Sequence, residues 1–145
     1  MPYIKVYIHF LWTTKYRTPF LHSPDLRVKV WTHIKENAAL NKIYVDTVNG
    51  HTEHCHCLVS MHHNHTMSKV MQLMKGESSN WINKHNLCEQ RFEWQEEYFA
   101  ISVSESAVGK VRRYIQNQEE HHRKKPFQQE YDDLIEQFGP QFPGT

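Results

Sequence analysis

His54 and His56 stand two apart in Glu53-His54-Cys55-His56-Cys57-Leu58-Val59, and that spacing is the first feature of this chain suited to chemistry. Residues i and i+2 of a β-strand point to one face, so the two imidazoles would project together while Cys55, Cys57 and Val59 face the other way. The stretch is β-prone and bounded by Asn49-Gly50 and His62-His63-Asn64, which favours a strand. Paired imidazoles make half of a metal site; an exposed histidine pair is the plainer reading. Tyr114 and Gln118 form a second pair, four apart on a helical pattern and therefore on a shared helix face. If that helix docks beside the histidine strand, the Gln118 amide oxygen becomes a third ligand, with positions left open for substrate oxygens. Tyr114 then stands one turn from the metal. A phenol with an ordinary pKa of about 10 is a weak nucleophile at neutral pH, so it needs a nearby cation or base and a polarised electrophile. A metal supplies the second by Lewis-acid withdrawal from a phosphodiester oxygen. Without that docking, Tyr114 is a boundary packing residue and Gln118 is surface.

The elements that must position these groups are legible in the pattern of apolar residues. Tyr3 to Thr13 is dense in β-branched and aromatic residues and reads as a first strand. Pro24-Asp25 opens a helix through about Leu40, with Leu26, Val30, Ile34 and Ala38 at fourfold spacing. Ile43 to Val48 and His54 to Met61 are the second and third strands, separated by a turn at Gly50. Met67 to Asn86 is a second helix, interrupted at Lys75-Gly76-Glu77-Ser78-Ser79, with Val70, Leu73, Met74, Trp81 and Ile82 on its core stripe. Tyr98 to Val103 is a fourth strand. A third helix over about 105 to 122 buries Val108, Val111 and Ile115, and Pro126 separates it from a last helix, Phe127 to Phe138. This order predicts an α+β fold of ferredoxin-like type: a split β-α-β antiparallel sheet with helices on one face, plus a C-terminal tyrosine-bearing helix and a short last helix. Residues 1–145 read as one domain with a loose tail at 139–145.

A hydrophobic fraction of 39% and an aromatic fraction of 12% describe a globular chain rather than a disordered one. No apolar run reaches the length of a membrane helix, and Met1-Pro2-Tyr3-Ile4-Lys5 lacks a signal-peptide pattern, so a cytoplasmic protein is expected. Three cysteines cannot all pair, and reduced thiols are expected, with Cys55 and Cys57 as small apolar residues behind the strand. Net charge is only +1, but residues 110–125 hold six Lys/Arg against two Glu. Such local basicity suits a phosphate backbone or, more plainly, a solvated helix face.

Six blocks in order then resemble the single-tyrosine HUH transposases of the insertion-sequence 200/605 family. They are Trp12-Thr13-Thr14-Lys15-Tyr16-Arg17, the His54-Cys55-His56-Cys57-Leu58-Val59 strand, Leu73-Met74-Lys75-Gly76-Glu77-Ser78-Ser79, Trp94-Gln95-Glu96-Glu97-Tyr98-Phe99-Ala100, Tyr114-Ile115-Gln116-Asn117-Gln118 and Phe127-Gln128-Gln129-Glu130-Tyr131. The family's usual Pro-Asp/Asn before the first histidine is Thr52-Glu53 here, and cysteine stands where a bulkier aliphatic is common. Neither departure removes a ligand. The resemblance implies His54, His56 and Gln118 as ligands to magnesium or manganese and Tyr114 as nucleophile. It implies attack on single-stranded DNA at hairpin-flanked element ends, a 5′-phosphotyrosine and rejoining by a 3′-hydroxyl without ATP, in keeping with the lack of a P-loop pattern. It also implies a homodimer with composite active sites, against an active monomer as the alternative.

Lys15, Arg17, Lys75, Arg112 and Arg113 are the candidates for DNA phosphate contacts, and Trp94 or Phe92 for base stacking. The roles of the remaining histidines, at 51, 62, 63, 65, 121 and 122, stay open; His121, seven residues beyond Tyr114, is placed either near the site or, as the plainer reading, in solvent. Two rival classes compete. One is a non-catalytic RNA- or DNA-binding module on the same fold, against which the missing aromatic signature on a central strand argues. The other is a histidine-rich metal protein, since His51, His54, His56, His62, His63 and His65 crowd together, although the second ligand pair of a zinc site is lacking. A non-mobile or repeat-associated homologue that binds or nicks hairpin DNA is a nearer alternative.

Overall fold

The computed structural model describes residues 2–138, and the tail expected to be loose at 139–145 lies outside the described residues. In chain order the elements are β1 (Tyr7–Thr13), α1 (Pro24–Leu40), β2 (Tyr44–Gly50), β3 (His54–Ser60), α2 (Met67–Lys84), β4 (Phe99–Val103), α3 (Val108–Gln116), α4 (Gln118–Lys124) and α5 (Phe127–Phe138). The four strands form one antiparallel sheet in the order β2-β3-β1-β4, the split β-α-β arrangement the pattern predicts.

Strand alternation divides the core between the two faces of this sheet. Cys55, Cys57 and Val59 of β3 pack with Phe10 and Trp12 of β1 against Val30 and Ile34 of α1 and Val70 and Met74 of α2. Both cysteines are fully buried free thiols, as small apolar residues behind the histidines would be. On the opposite face Leu58 packs with Val108 and Ile115 of α3, with Val111 and Tyr114 at the margin. The histidine face is therefore the one covered by the tyrosine helix.

Local chemistry sets the helix ends. The Ser23 hydroxyl accepts from the Leu26 N–H at 3.1 Å, with Pro24 in the first turn, and Thr66 caps Lys69 in the same way. Three expectations need correction. The first strand starts at Tyr7 rather than Tyr3, because its partners end opposite Tyr7, at Ser60 and Val103. Lys75-Gly76-Glu77-Ser78-Ser79 does not interrupt α2, which runs unbroken through an exposed Gly76. The helix expected over 105–122 is a 3-10 turn followed by α3 and α4, broken at Asn117. There the Asn49 side-chain amide donates to the carbonyls of Ile115 at 3.0 Å and Gln116 at 3.2 Å. A partner from β2 thus satisfies carbonyls that a continuing helix would have used. No helix among the described residues is long and apolar enough to cross a membrane.

Candidate active site

Register places the histidines. In the β1–β3 ladder Thr13 opposes His54, Leu11 opposes His56 and His9 opposes Leu58, so His9 lies diagonal to His56 on one face. His9 Nε2 and His56 Nδ1 share a hydrogen bond of 2.8 Å, and both rings are buried. Gly50, at the end of β2, pairs with Cys55 so closely that a Cβ there would meet the His54 carbonyl oxygen at 2.1 Å. The tight β2–β3 turn thereby fixes where His54 begins its strand.

The helices either side of Asn117 supply the other half, Tyr114 from α3 and Gln118 from the start of α4, rather than from one shared helix face. The Tyr114 ring lies edge-on to His56 with centroids 5.6 Å apart, and Gln118 Oε1 is 3.0 Å from His54 Nε2. Gln118 is fully buried, so it is not the surface residue of the plainer reading. His54, His56, Tyr114 and Gln118, chosen on spacing and resemblance, meet in one place. Arg27 of α1 holds α4 there: its guanidinium donates to Glu119 at 2.6 Å and to the Leu21 carbonyl at 2.7 Å.

Three neighbours carried no assigned role in the sequence reading. Glu130 of α5 is buried, with Oε1 2.7 Å from His56 Nε2 and Oε2 2.8 Å from His121 Nε2. His122 Nε2 is 3.0 Å from Gln118 Oε1 and 3.3 Å from Glu130 Oε2. His121 stacks edge-on to Tyr114 at 5.3 Å. The plainer reading of His121 as solvated is thus corrected in favour of its place near the site; the break at Asn117 turns α4 so that the rings of His121 and His122 both face inward. A sequence signal did exist for His122, which lies four residues beyond Gln118 and so on its helix face. Glu130 gave none beyond its place in the last resembling block.

Lone pairs decide whether these residues suit a divalent cation. His54 Nδ1 lies 2.7 Å from the Glu53 carboxylate, and His122 Nδ1 lies 3.1 Å from the Lys125 carbonyl. Both partners only accept, so each Nδ1 carries the proton and a neutral ring leaves Nε2 as a lone pair. Those two lone pairs converge on the Gln118 amide oxygen, itself an acceptor. His56 joins them when it donates from Nδ1 to His9. Glu130 Oε2 and His121 Nε2 are buried without aligned hydrogen-bond partners despite their proximity. Acceptors gathered at such distances are stabilised by a cation among them, and imidazole, amide and carboxylate donors all suit one. The residues fit the metal that the resemblance implies.

Burial sets much of the electrostatics. It pushes the His9 imidazole down to about 3 and His56 to about 4, so both rings are neutral at neutral pH. Burial alone would raise the Glu130 carboxyl, but the His122 and His56 side chains beside it outweigh that and hold it well below the carboxylate range. Burial and then the Glu130 charge push the Tyr114 phenol well above its ordinary value.

Elsewhere the structure gives several candidate DNA contacts another partner. Lys75 donates to the carbonyls of Gln95 at 2.6 Å and Glu96 at 2.8 Å and so holds the connector before β4. Lys15 pairs with Glu93 at 3.1 Å and Arg112 with Asp46 at 2.7 Å. Arg17 lies over the Tyr131 ring at 4.3 Å and hydrogen-bonds Gln128. Arg113 is exposed, with no side-chain ion pair among the described residues. Phe92 and Trp94 are core residues rather than stacking platforms, the Trp94 indole donating to Ser78 at 2.9 Å. They read as platforms from composition, but the connector folds inward over α2.

A family model described as "Transposase IS200 like" matches residues 3–118. No curated protein matches the chain. Among solved structures, a candidate transposase from Deinococcus radiodurans R1 superposes with a TM-score of 0.64 at 20% identity, covering 81% of this chain and 93% of that one. A REP-associated tyrosine transposase bound to a REP hairpin gives a TM-score of 0.54 at 13% identity, covering 97% of this chain and 73% of that one. At these identities the two structures share the fold.

Proposed function

Because the chain belongs to the IS200-like transposase family, we propose that it cleaves and rejoins single-stranded DNA at hairpin-flanked element ends, with Tyr114 as nucleophile and His54, His56 and Gln118 as metal ligands. The observation that carries this is the meeting of Tyr114 with His56, ring centroids 5.6 Å apart, while Gln118 Oε1 stands 3.0 Å from His54. Packing on a rigid sheet, rather than on a loop, holds these groups in fixed relation.

A divalent cation, magnesium or manganese, would be held by His54, His56 and Gln118 and would withdraw charge from a phosphodiester oxygen. Tyr114 Oη forms a bond to phosphorus as the bond to O3′ breaks; the phenol gives up its proton and the departing O3′ gains one. The product is a 5′-phosphotyrosine with a free 3′-hydroxyl. A 3′-hydroxyl from another strand then attacks that phosphorus and returns the Tyr114 phenol. Glu53 on His54 and His9 on His56 fix the ring orientations throughout. His9 and His56, neutral through burial, offer lone pairs rather than positive charge. A homodimer with composite sites belongs to the same proposal.

The test is incubation with labelled single-stranded hairpin DNA from the gene's own flanks, with and without magnesium or manganese, followed by denaturing electrophoresis. A metal-dependent covalent band is expected from the natural chain. It should vanish in Tyr114→Phe and His56→Ala while Tyr114→Phe still binds the hairpin. Binding with no covalent band under either metal would favour a non-catalytic binding homologue.

A further inference from the structure

Resting on the metal reading above, the geometry points to His122 of α4 and Glu130 of α5 as further ligands of the same cation, so that the last two helices close the metal centre. Three ligand atoms, one each from His54, His122 and Glu130, lie within 4.8 Å of one another. Each comes from a different element: β3, α4 and α5. The His122 ring is committed by its Nδ1 contact with the Lys125 carbonyl at 3.1 Å, which aims its Nε2 inward. That nitrogen meets only acceptors, Gln118 Oε1 at 3.0 Å and Glu130 Oε2 at 3.3 Å. A cation placed among them uses that lone pair and both oxygens at once.

Glu130 makes the stronger case. It is 2% exposed, and its Oε2 is a buried polar atom without a hydrogen-bond partner. An ionised carboxylate in such a place is costly unless paired. Among the described residues its surroundings are His54, His56, His121, His122 and Tyr114, with no lysine or arginine paired to it. A divalent cation coordinated by two or three imidazoles, an amide oxygen and this carboxylate supplies the missing charge. The consequence reaches beyond coordination. α5 reaches the site through Glu130 and through Phe127, whose ring stacks on His54 at 4.0 Å. Metal binding and α5 docking are therefore linked, each strengthening the other.

Manganese binding to the full chain tests this by calorimetry and by the electron-spin spectrum of bound Mn2+, neither of which requires DNA. Glu130→Gln and His122→Ala should each weaken Mn2+ binding about tenfold or more, by the scale on which supporting ligand-shell changes act. In the natural chain Mn2+ should slow hydrogen exchange across 127–138. His56→Ala serves as the control for the underlying reading and should lose binding altogether. If His56→Ala loses Mn2+ while Glu130→Gln and His122→Ala bind within twofold of the natural chain, this assignment is wrong and the three-ligand reading stands. If the natural chain fails to bind Mn2+, or His56→Ala binds unchanged, the metal reading itself fails. Should either variant misfold, unaltered exchange of 127–138 on adding Mn2+ to the natural chain still overturns the linkage.

Discussion

At the scale of single residues, the geometry of the candidate site depends on groups that are not among its proposed ligands. Gly50 has no side chain because none fits: a Cβ would lie 2.1 Å from the His54 carbonyl oxygen and 2.9 Å from the Cys55 Cα. Both neighbours are backbone, so relief requires moving the start of β3, and His54 with it. Gly50→Ala should therefore cost about 1–3 kcal/mol, the usual range for overpacking, read by urea unfolding, and should weaken Mn2+ binding in the folded fraction. Unchanged stability would mean that the turn opens freely and does not fix His54. The histidine pair was legible because a two-residue strand period puts both rings on one face; Tyr114 and Gln118 were expected to share a helix face, but they stand either side of the break at Asn117 and reach the histidines from α3 and α4. Glu130 was not legible. Nothing in a glutamate's own neighbourhood says that a separate helix will bury it among three imidazoles, since that fact depends on how α5 lands.

Elements bring these residues together through contacts that cross between them, and one such contact reports on pH. The ladder between β2 and β3 slips between Val45 and Thr47, leaving Asp46 at an irregularity that turns its carboxylate toward α3. Arg112 of α3 meets it with two hydrogen bonds, from Nε at 2.8 Å and from Nη2 at 2.7 Å. The Arg112 hydrogen bond holds the Asp46 carboxyl below its ordinary value, outweighing the opposing effect of burial. Folding thus favours the ionised form. The pair's contribution is fully present above the unfolded carboxyl pKa of about 3.9 and is lost as pH falls through the lower folded value. Arg112→Ala should lower the thermal midpoint at pH 7, and the difference from the natural chain should shrink through the acid range until it vanishes below both values. A difference constant across pH would assign Arg112 a packing role alone. The strands and α1 were legible from composition and capping. The break between α3 and α4 was not, because it is imposed by Asn49, sixty-six residues before the first carbonyl it satisfies.

For the molecule as a whole, the proposed function asks how a chain of net charge +1 would attract a polyanion. The general answer, a broadly basic surface, does not apply here, because much of the basic side-chain inventory is already engaged. Lys15 is offset by Glu93, Arg112 by Asp46 and Arg123 by Glu120, while Lys75 is tied to carbonyls. Neutralised cations contribute little to counterion release, so attraction must rest on the few that have no carboxylate partner. Arg113 is the clearest of these, exposed on α3 one residue before Tyr114. Arg17, held over two rings of α5, has no acidic partner among the described residues. Each phosphate contact removed should lower the slope of log affinity against log salt by about 0.7 for single strands and 0.9 for duplex. For hairpin binding followed by fluorescence anisotropy across a salt series, Arg113→Ala should remove about one such increment. Lys75→Met should leave the slope unchanged and lower the thermal midpoint instead, because its ammonium holds the Gln95–Glu97 connector to α2. The opposite pattern, a reduced slope for Lys75→Met with stability intact, would mean that the bound strand displaces those carbonyls and takes the lysine for itself.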